Sequence, residues 1–248
     1  MFDYSQGSYR IADLYKTIEG EAFDNLGKTI VLVRMAFPHG LKYAHLLPER
    51  ELPAKDMTQI EVIEAISACG SSLPVHFIND EPILCGIQSL LPLLGGRELY
   101  LNTGGFIPIP LETLAKFSSI YIWSRPGLRP ITHLMDMATE IRAYWKPGDP
   151  IYTNHVDALD RVLTPDMRQK AFLVPHNIDP ETIRATVDKA MGLRWRFAVH
   201  LASLLPDLDK HLQSNPESEL IIHKQYRETL GMVPNETSPV NAGGNPKR

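Results

Sequence analysis

The feature that most constrains the fold is the alternation of short β-rich runs with helical patterns. The β-rich runs lie between Gly-, Pro- or Asn-bearing corners, at residues 10–16, 29–36, 73–79, 97–102, 119–124, 150–154, 171–175 and 193–200. The helical patterns cover residues 57–68, with Thr58 as the cap, and 83–94, 110–117, 131–144 and 180–191. Parallel neighbours in a sheet need a crossover of a dozen or so residues, and a helix supplies it. This order therefore predicts a parallel sheet with covering helices.

Composition agrees with a globular α/β protein. The chain has 248 residues, of which 44% are hydrophobic and 22% charged, so it can bury a full core. No apolar run reaches the roughly 18 residues of a membrane helix. Residues 1–10 lack the apolar core of a signal peptide. We therefore expect a soluble, cytoplasmic protein with no membrane partner.

Charge and motifs exclude several function classes. The chain carries 25 Lys and Arg against 29 Asp and Glu, a net charge of −4, so it lacks the broad basic field of nonspecific nucleic-acid binders. We therefore expect no nucleic-acid partner. A Gly-rich phosphate loop, a nucleophile elbow and an H-E-x-x-H pattern are all missing, so nothing supports a kinase or hydrolase.

Five short motifs occur in a fixed order: Y-K-T-I-E-G-E-A-F at 15–23, G-K-T-I-V-L-V-R-M-A at 27–36, F-I-N-D-E-P at 77–82, Y-L-N-T-G-G at 100–105 and I-W-S-R-P at 122–126. In this order they resemble the motifs of the 7-carboxy-7-deazaguanine synthase family. These radical S-adenosylmethionine (SAM) enzymes make the deazapurine precursor of queuosine. The resemblance spans residues 9–205 and implies a partial (β/α) barrel of the radical SAM type, with its site at the carboxyl ends of the strands.

The cluster-binding motif of that family is missing. The family places C-x-x-x-C-x-x-C directly after its V-R-L strand, and the three thiolates hold a [4Fe-4S] cluster. The same spacing here places Pro38, Lys42 and His45 at the three cysteine positions. The chain has two cysteines in total, Cys69 and Cys85, each in a helical pattern. Ligand count thus predicts that no cluster binds and that no radical is made from SAM.

The resemblance also implies a rewritten SAM subsite. The two glycines of the family's T-G-G-E-P let the backbone approach the methionine moiety, and here they are Asn79 and Asp80. Leu101 replaces the acidic residue of L-E-T-N-G-T, while Leu46 and Leu47 replace an aspartate and a magnesium-associated threonine. We therefore expect neither SAM, nor a metal, nor any other cofactor. The degenerate SAM-site positions are Asn79, Asp80, Glu81, Asn102 and Ser124.

The positions that contact substrate in the family are better preserved here than the cluster and SAM positions. Glu21 and Arg34 match the family's second acidic position of Q-G-E-G and the arginine of F-V-R-L, which contact its pterin-like substrate. A carboxylate can accept two N–H bonds from a guanine edge, and an Arg fork can pair with a carboxylate. Glu19 replaces a glutamine, so it keeps an acceptor and loses a donor. A structural ion pair between Glu21 and Arg34 is the alternative, and His76 is interpreted as a core or rim histidine.

Two domains are expected: a barrel at 1–212, and a C-terminal helix with an extended tail at 213–248. The loss of cluster ligands and this added segment predict a pseudoenzyme that serves as a binding or structural subunit. Its partner is another protein or a second copy, held through the C-terminal helix and tail. The alternative is a binder or non-radical enzyme that holds a pterin, guanine or 7-deazapurine in queuosine-type metabolism.

Overall fold

The computed structural model describes residues 8–19, 28–37, 54–78, 81–177 and 179–198. In this part of the chain nine strands form one sheet, in the order β3-β1-β2-β4-β5-β6-β7-β8-β9. β1 runs antiparallel to β2 and β3, and every pair from β2 to β9 is parallel. The strands are β1 (Ser8–Ile18), β2 (Thr29–Met35), β3 (Lys55–Thr58), β4 (Val75–Ile78), β5 (Leu99–Thr103), β6 (Ser119–Ser124), β7 (Glu140–Trp145), β8 (Ala171–Pro175) and β9 (Arg196–Phe197).

In the ranges that the structure describes, six helices and three 3₁₀ turns connect these strands. The helices are α1 (Gln59–Cys69), α2 (Leu111–Leu114), α3 (Thr132–Met137), α4 (Pro150–Val162), α5 (Pro165–Gln169) and α6 (Pro180–Leu193). The 3₁₀ turns are Pro82–Cys85, Ile87–Ser89 and Leu91–Leu94. Within the described ranges, no helix combines the length and the apolar character needed to cross a bilayer.

The main core lies between one face of the sheet and the helices. Residues such as Val31, Phe77 and Ile122 point from the strands into it, where they meet Ile66 of α1 and Leu159 of α4. Each of these side chains is at most 3% exposed. Because successive residues of a strand point to opposite faces, the other half of the strand residues forms a second face, the inner face.

Three sequence predictions of secondary structure were wrong. Residues 83–94 form three short 3₁₀ turns instead of one helix. Residues 131–144 form α3 followed by β7, because β7 alternates between apolar residues on the helix side and the charged Glu140 and Arg142 on the inner face. Residues 150–154 begin α4 instead of forming a strand. The side chain of Asp149 accepts a bond from the Ile151 N–H, and Pro150 occupies the first turn, where its missing N–H costs nothing.

The Thr58 cap was predicted correctly. The Thr58 side chain accepts from the backbone N–H of Glu61, and the Glu61 side chain accepts from the backbone N–H of Thr58 at 2.7 Å. This capping box fixes the start of α1 directly after β3. The predicted C-terminal helix and tail, 213–248, lie outside the described residues.

Candidate functional site

The inner face of the sheet is polar and aromatic. Register places Leu32, His76 and Tyr100 side by side on β2, β4 and β5. Further along, Trp123 and Arg142 are paired on β6 and β7. Because paired residues of parallel strands point to the same face, these side chains form a continuous surface. Of the residues that the sequence singled out, Asn102 and His76 lie on this surface.

Glu19 forms a buried pair with His76. Glu19 follows β1 directly, and its Oε2 lies 2.5 Å from Nδ1 of His76, with both side chains at most 3% exposed. The His76 ring packs against Tyr100 and Tyr121, with ring centroids 5.9 and 5.4 Å away. Its buried Nε2 has no hydrogen-bond partner in the described part of the chain. His76, interpreted from sequence as a core or rim residue, is thus the direct partner of a predicted ligand-binding residue.

Arg34 forms an ion pair with Asp13. Its Nη1 donates to Oδ2 of Asp13 at 2.9 Å, and the two side chains are 26% and 34% exposed. The pair follows from register, because Asp13 lies opposite Arg34 across β1 and β2, just after a bulge in β1. Glu21, the partner considered from sequence, lies outside the described residues.

Glu81 lies buried beyond the carboxyl end of β4. Its Oε2 accepts from the Thr103 hydroxyl at 2.7 Å, and Thr103 Oγ1 accepts from the backbone N–H of Gly105 at 3.0 Å. Burial raises the pKa of Glu81 to about 7, although the Thr103 hydroxyl and the backbone N–H groups of Gly104 to Phe106 oppose the shift. A Cβ at Gly104 would lie 3.1 Å from Glu81 Oε1 and 2.8 Å from the Phe106 ring, so a larger residue there would require the Phe106 ring to move.

Asn102 and Ser124 point to opposite faces. Asn102 pairs with Tyr121 on the inner face and is half-buried. Ser124 is fully buried on the helix side, where its Oγ lies 3.1 Å from Nε2 of His155 on α4. Burial lowers the pKa of His155. These two predicted SAM-site positions are therefore not brought together, while Asn79 and Asp80 lie outside the described residues.

A buried ion pair that the sequence did not reveal lies on β7, on the inner face. Arg142 Nε donates to Glu140 Oε2 at 2.9 Å, and both residues are at most 3% exposed. The guanidinium lies over the rings of Trp123 and Tyr121, at 5.0 and 5.7 Å from their centroids. The assignment of 131–144 as a helix concealed this pair, because only a strand places residues 140 and 142 on one face.

The two cysteines do not form a cluster-binding set. Cys69 ends α1, ahead of the amino end of β4, whereas Cys85 lies in the 3₁₀ turn beyond the carboxyl end of β4. Burial raises the pKa of both thiols, that of Cys85 to about 12. In the described ranges, no group of three or more His, Cys, Asp or Glu side chains could hold a metal ion. Pro38, Lys42 and His45 lie outside these ranges. The thiols present therefore do not fit a [4Fe-4S] cluster.

Comparisons with known proteins identify the fold. No protein-family model and no curated protein matches this sequence. Among solved structures, the chain is similar to the crystal structure of QueE from Escherichia coli, with a TM-score of 0.57, 15% sequence identity, and coverage of 77% of this chain and 93% of that chain. At this identity the likeness is one of fold. The predicted architecture is confirmed: this chain has the mixed α/β, partial-barrel fold of QueE, a 7-carboxy-7-deazaguanine synthase of the radical SAM type.

Proposed function

We propose that this chain is a catalytically inactive relative of 7-carboxy-7-deazaguanine synthase, without a [4Fe-4S] cluster, that serves as a binding or structural subunit of a larger assembly. The observation that carries the proposal is the set of thiols. The chain has two cysteines, and the structure places them at opposite ends of β4. The thiolate is the form that ligates iron, and a pKa of about 12 keeps Cys85 protonated at neutral pH.

The pairing of the remaining site residues also supports a structural role. Two positions that the resemblance assigns to ligand contacts, and one degenerate SAM-site position, are joined to other side chains of the same chain. Glu19 pairs with His76, Arg34 with Asp13, and Ser124 with His155. Polar groups that satisfy one another let the strand ends stay folded without a ligand.

Anaerobic reconstitution with iron and sulfide tests the proposal. We expect the purified chain to bind no more iron and acid-labile sulfide than a Cys69→Ser, Cys85→Ser double variant, because neither thiol belongs to a three-thiolate set. Iron and sulfide analysis, together with visible absorption, measures the result. We expect SAM to remain intact in the presence of a strong reductant.

Four irons and four sulfides per chain, lost in the double variant, would contradict the proposal.

The proposed membership in a larger assembly is tested on the native protein. In an extract of its source cells, the chain should elute in size exclusion as a species larger than a single chain. Elution as a single chain would contradict the proposed subunit role, and the absence of a [4Fe-4S] cluster would be the part of the proposal that remains.

A ligand-binding function is the second candidate, and one observation favours it. His76 presents a buried Nε2 without a hydrogen-bond partner in the described part of the chain, next to Glu19 on the inner face. Buried polar atoms are normally satisfied, so such an atom can mark a place for a ligand or water. The ligand classes that the family resemblance suggests are a pterin, a guanine and a 7-deazapurine.

A thermal-shift panel separates the two candidates. It uses 6-carboxytetrahydropterin, 7-carboxy-7-deazaguanine, guanine, GTP and SAM on the wild type, Arg34→Ala and the control Asp13→Asn, which keeps the guanidinium. For a structural subunit we expect no shift with any of the five. A ligand at a hundredfold excess over its Kd stabilises the folded state by about 2.7 kcal/mol. A shift of that size, present in Asp13→Asn and absent in Arg34→Ala, would establish the second candidate.

A further inference from the structure

A cavity of about 150 Å³ lies between α3, α4 and the loop that joins β6 to α3. It is separate from the inner face, because α3 and α4 pack on the helix side of the sheet. The floor is formed by Met135 and Leu159, which are 1% and 3% exposed. The rim includes Val162, an apolar side chain that is 48% exposed although it borders the cavity.

The cavity has few polar groups, and among its described lining residues Arg129 is the one that carries a charge. Arg129 is exposed at the rim, and it forms no hydrogen bond or ion pair with any other described residue. His155 lines the wall, where Ser124 Oγ fixes its Nε2 at 3.1 Å and burial lowers its pKa. His155 is therefore neutral at neutral pH. Among the described lining residues no carboxylate is present to neutralise Arg129.

We propose that this cavity binds a small carboxylate with an apolar body about the size of a benzene ring. The apolar body would rest on Met135 and Leu159, and the carboxylate would pair with the guanidinium of Arg129 at the rim. An engineered apolar protein cavity of about 150 Å³ holds benzene, so the volume suits one ring. Arg is suited to this role because its planar fork matches a carboxylate with two parallel bonds.

The lining favours a carboxylate over a phosphate. A phosphate monoester carries nearly two charges at neutral pH. Only one cation lines the described cavity, and its remaining walls are mostly apolar. Taking an unpaired charge out of water is costly, so a single negative charge at the rim fits better than a double one. The ligand would also cover Val162, which removes exposed apolar surface from water.

Binding of benzoate to the full-length chain tests this proposal. The chain has 8 methionines, so methyl-labelled methionine gives a small set of NMR signals, in which that of Met135 is assigned by Met135→Leu. We expect benzoate to shift the Met135 signal saturably and benzylamine, which has the same ring and the opposite charge, to leave it unchanged. Arg129→Gln should weaken benzoate binding at least about fivefold, since a charge-assisted bond is lost.

Arg161→Gln is the matched control, because Arg161 is an exposed arginine on α4 that does not line the cavity. It should bind benzoate as the wild type does. Ala158→Leu fills the cavity from α4 and should abolish the shift. The proposal is overturned if benzoate gives no saturable shift, if benzylamine binds equally well, or if Arg129→Gln and Arg161→Gln bind alike. If Ala158→Leu does not fold, as shown by the loss of a cooperative unfolding transition, the two arginine variants and the two probes still test the proposal.

Discussion

Replacing Glu140 by alanine should lower the free energy of unfolding by about 3–5 kcal/mol, the cost typical of breaking a buried ion pair by removing one partner. The side chains of Glu140 and Arg142 are 4% and 3% exposed, so the guanidinium cannot recover its hydration when the carboxylate is lost. The rings of Trp123 and Tyr121 stay in place, but a cation over an aromatic face gains much less than an ion pair. Urea unfolding at pH 7 measures the change.

Two further variants show whether the unpaired charge is the cause. The double variant Glu140→Leu, Arg142→Met removes both charges at similar volume and should recover most of the lost stability. Lys28→Met breaks the exposed pair with Glu98, whose side chains are 48% and 55% exposed, and should cost no more than about 1 kcal/mol. If Glu140→Ala is no more damaging than Lys28→Met, the pair is not a stabilising feature of the inner face.

Glu81→Gln should remove a pH dependence that the wild type shows between pH 4.5 and about 7. The pKa of Glu81 is raised from 4.5 to about 7 by burial, so in this interval the folded chain holds a proton that the unfolded chain has released. The stabilising contribution is complete below pH 4.5, falls as the pH rises, and is lost above about 7. The free energy of unfolding that Glu81 contributes differs by about 3 kcal/mol between these two pH limits. Glutamine keeps the oxygen that accepts from Thr103 and carries no charge.

The measurement is urea unfolding of the wild type and the variant at a series of pH values from 4 to 9. The difference between the two proteins isolates Glu81 from the other carboxylates. Glu64→Gln, an exposed change on α1, serves as the control for the loss of one carboxylate. If the free energies of unfolding of the wild type and Glu81→Gln change with pH in parallel, Glu81 ionises with an ordinary pKa.

The sequence predicted the strands best where both faces are apolar. The bounds predicted for β6 and β8 agree with the structure, because both strands are fully buried and lie between polar or Pro-bearing corners. β7 was missed because its inner-face residues are Glu140 and Arg142, which break the apolar run that a buried strand normally shows. Two buried charged residues that pair with each other look like exposed residues in the sequence, so hydrophobic periodicity does not reveal that they are buried.

The candidate site was predictable only in part. The cysteine count could be read directly, and it predicts the loss of the cluster without any structure. The hydrogen-bond and ion-pair partners of Glu19 and Arg34 could not be predicted from the sequence. His76 lies 57 residues from Glu19, and the pairing of Arg34 with Asp13 depends on a bulge in β1. Sequence showed which residues carry charge, whereas the strand register decides which charges meet.

The short strand β3 has a consequence for how copies of this protein can meet. Among the strands that the structure describes, it forms the edge of the sheet on the β1 side, and it is four residues long with Lys55 and Asp56 exposed. A brief, charged edge is a poor template for an added strand from another molecule, which is how many sheets aggregate into fibrils. Growth of the sheet through β3 is therefore disfavoured. A second copy or another subunit would then associate through a surface other than this edge.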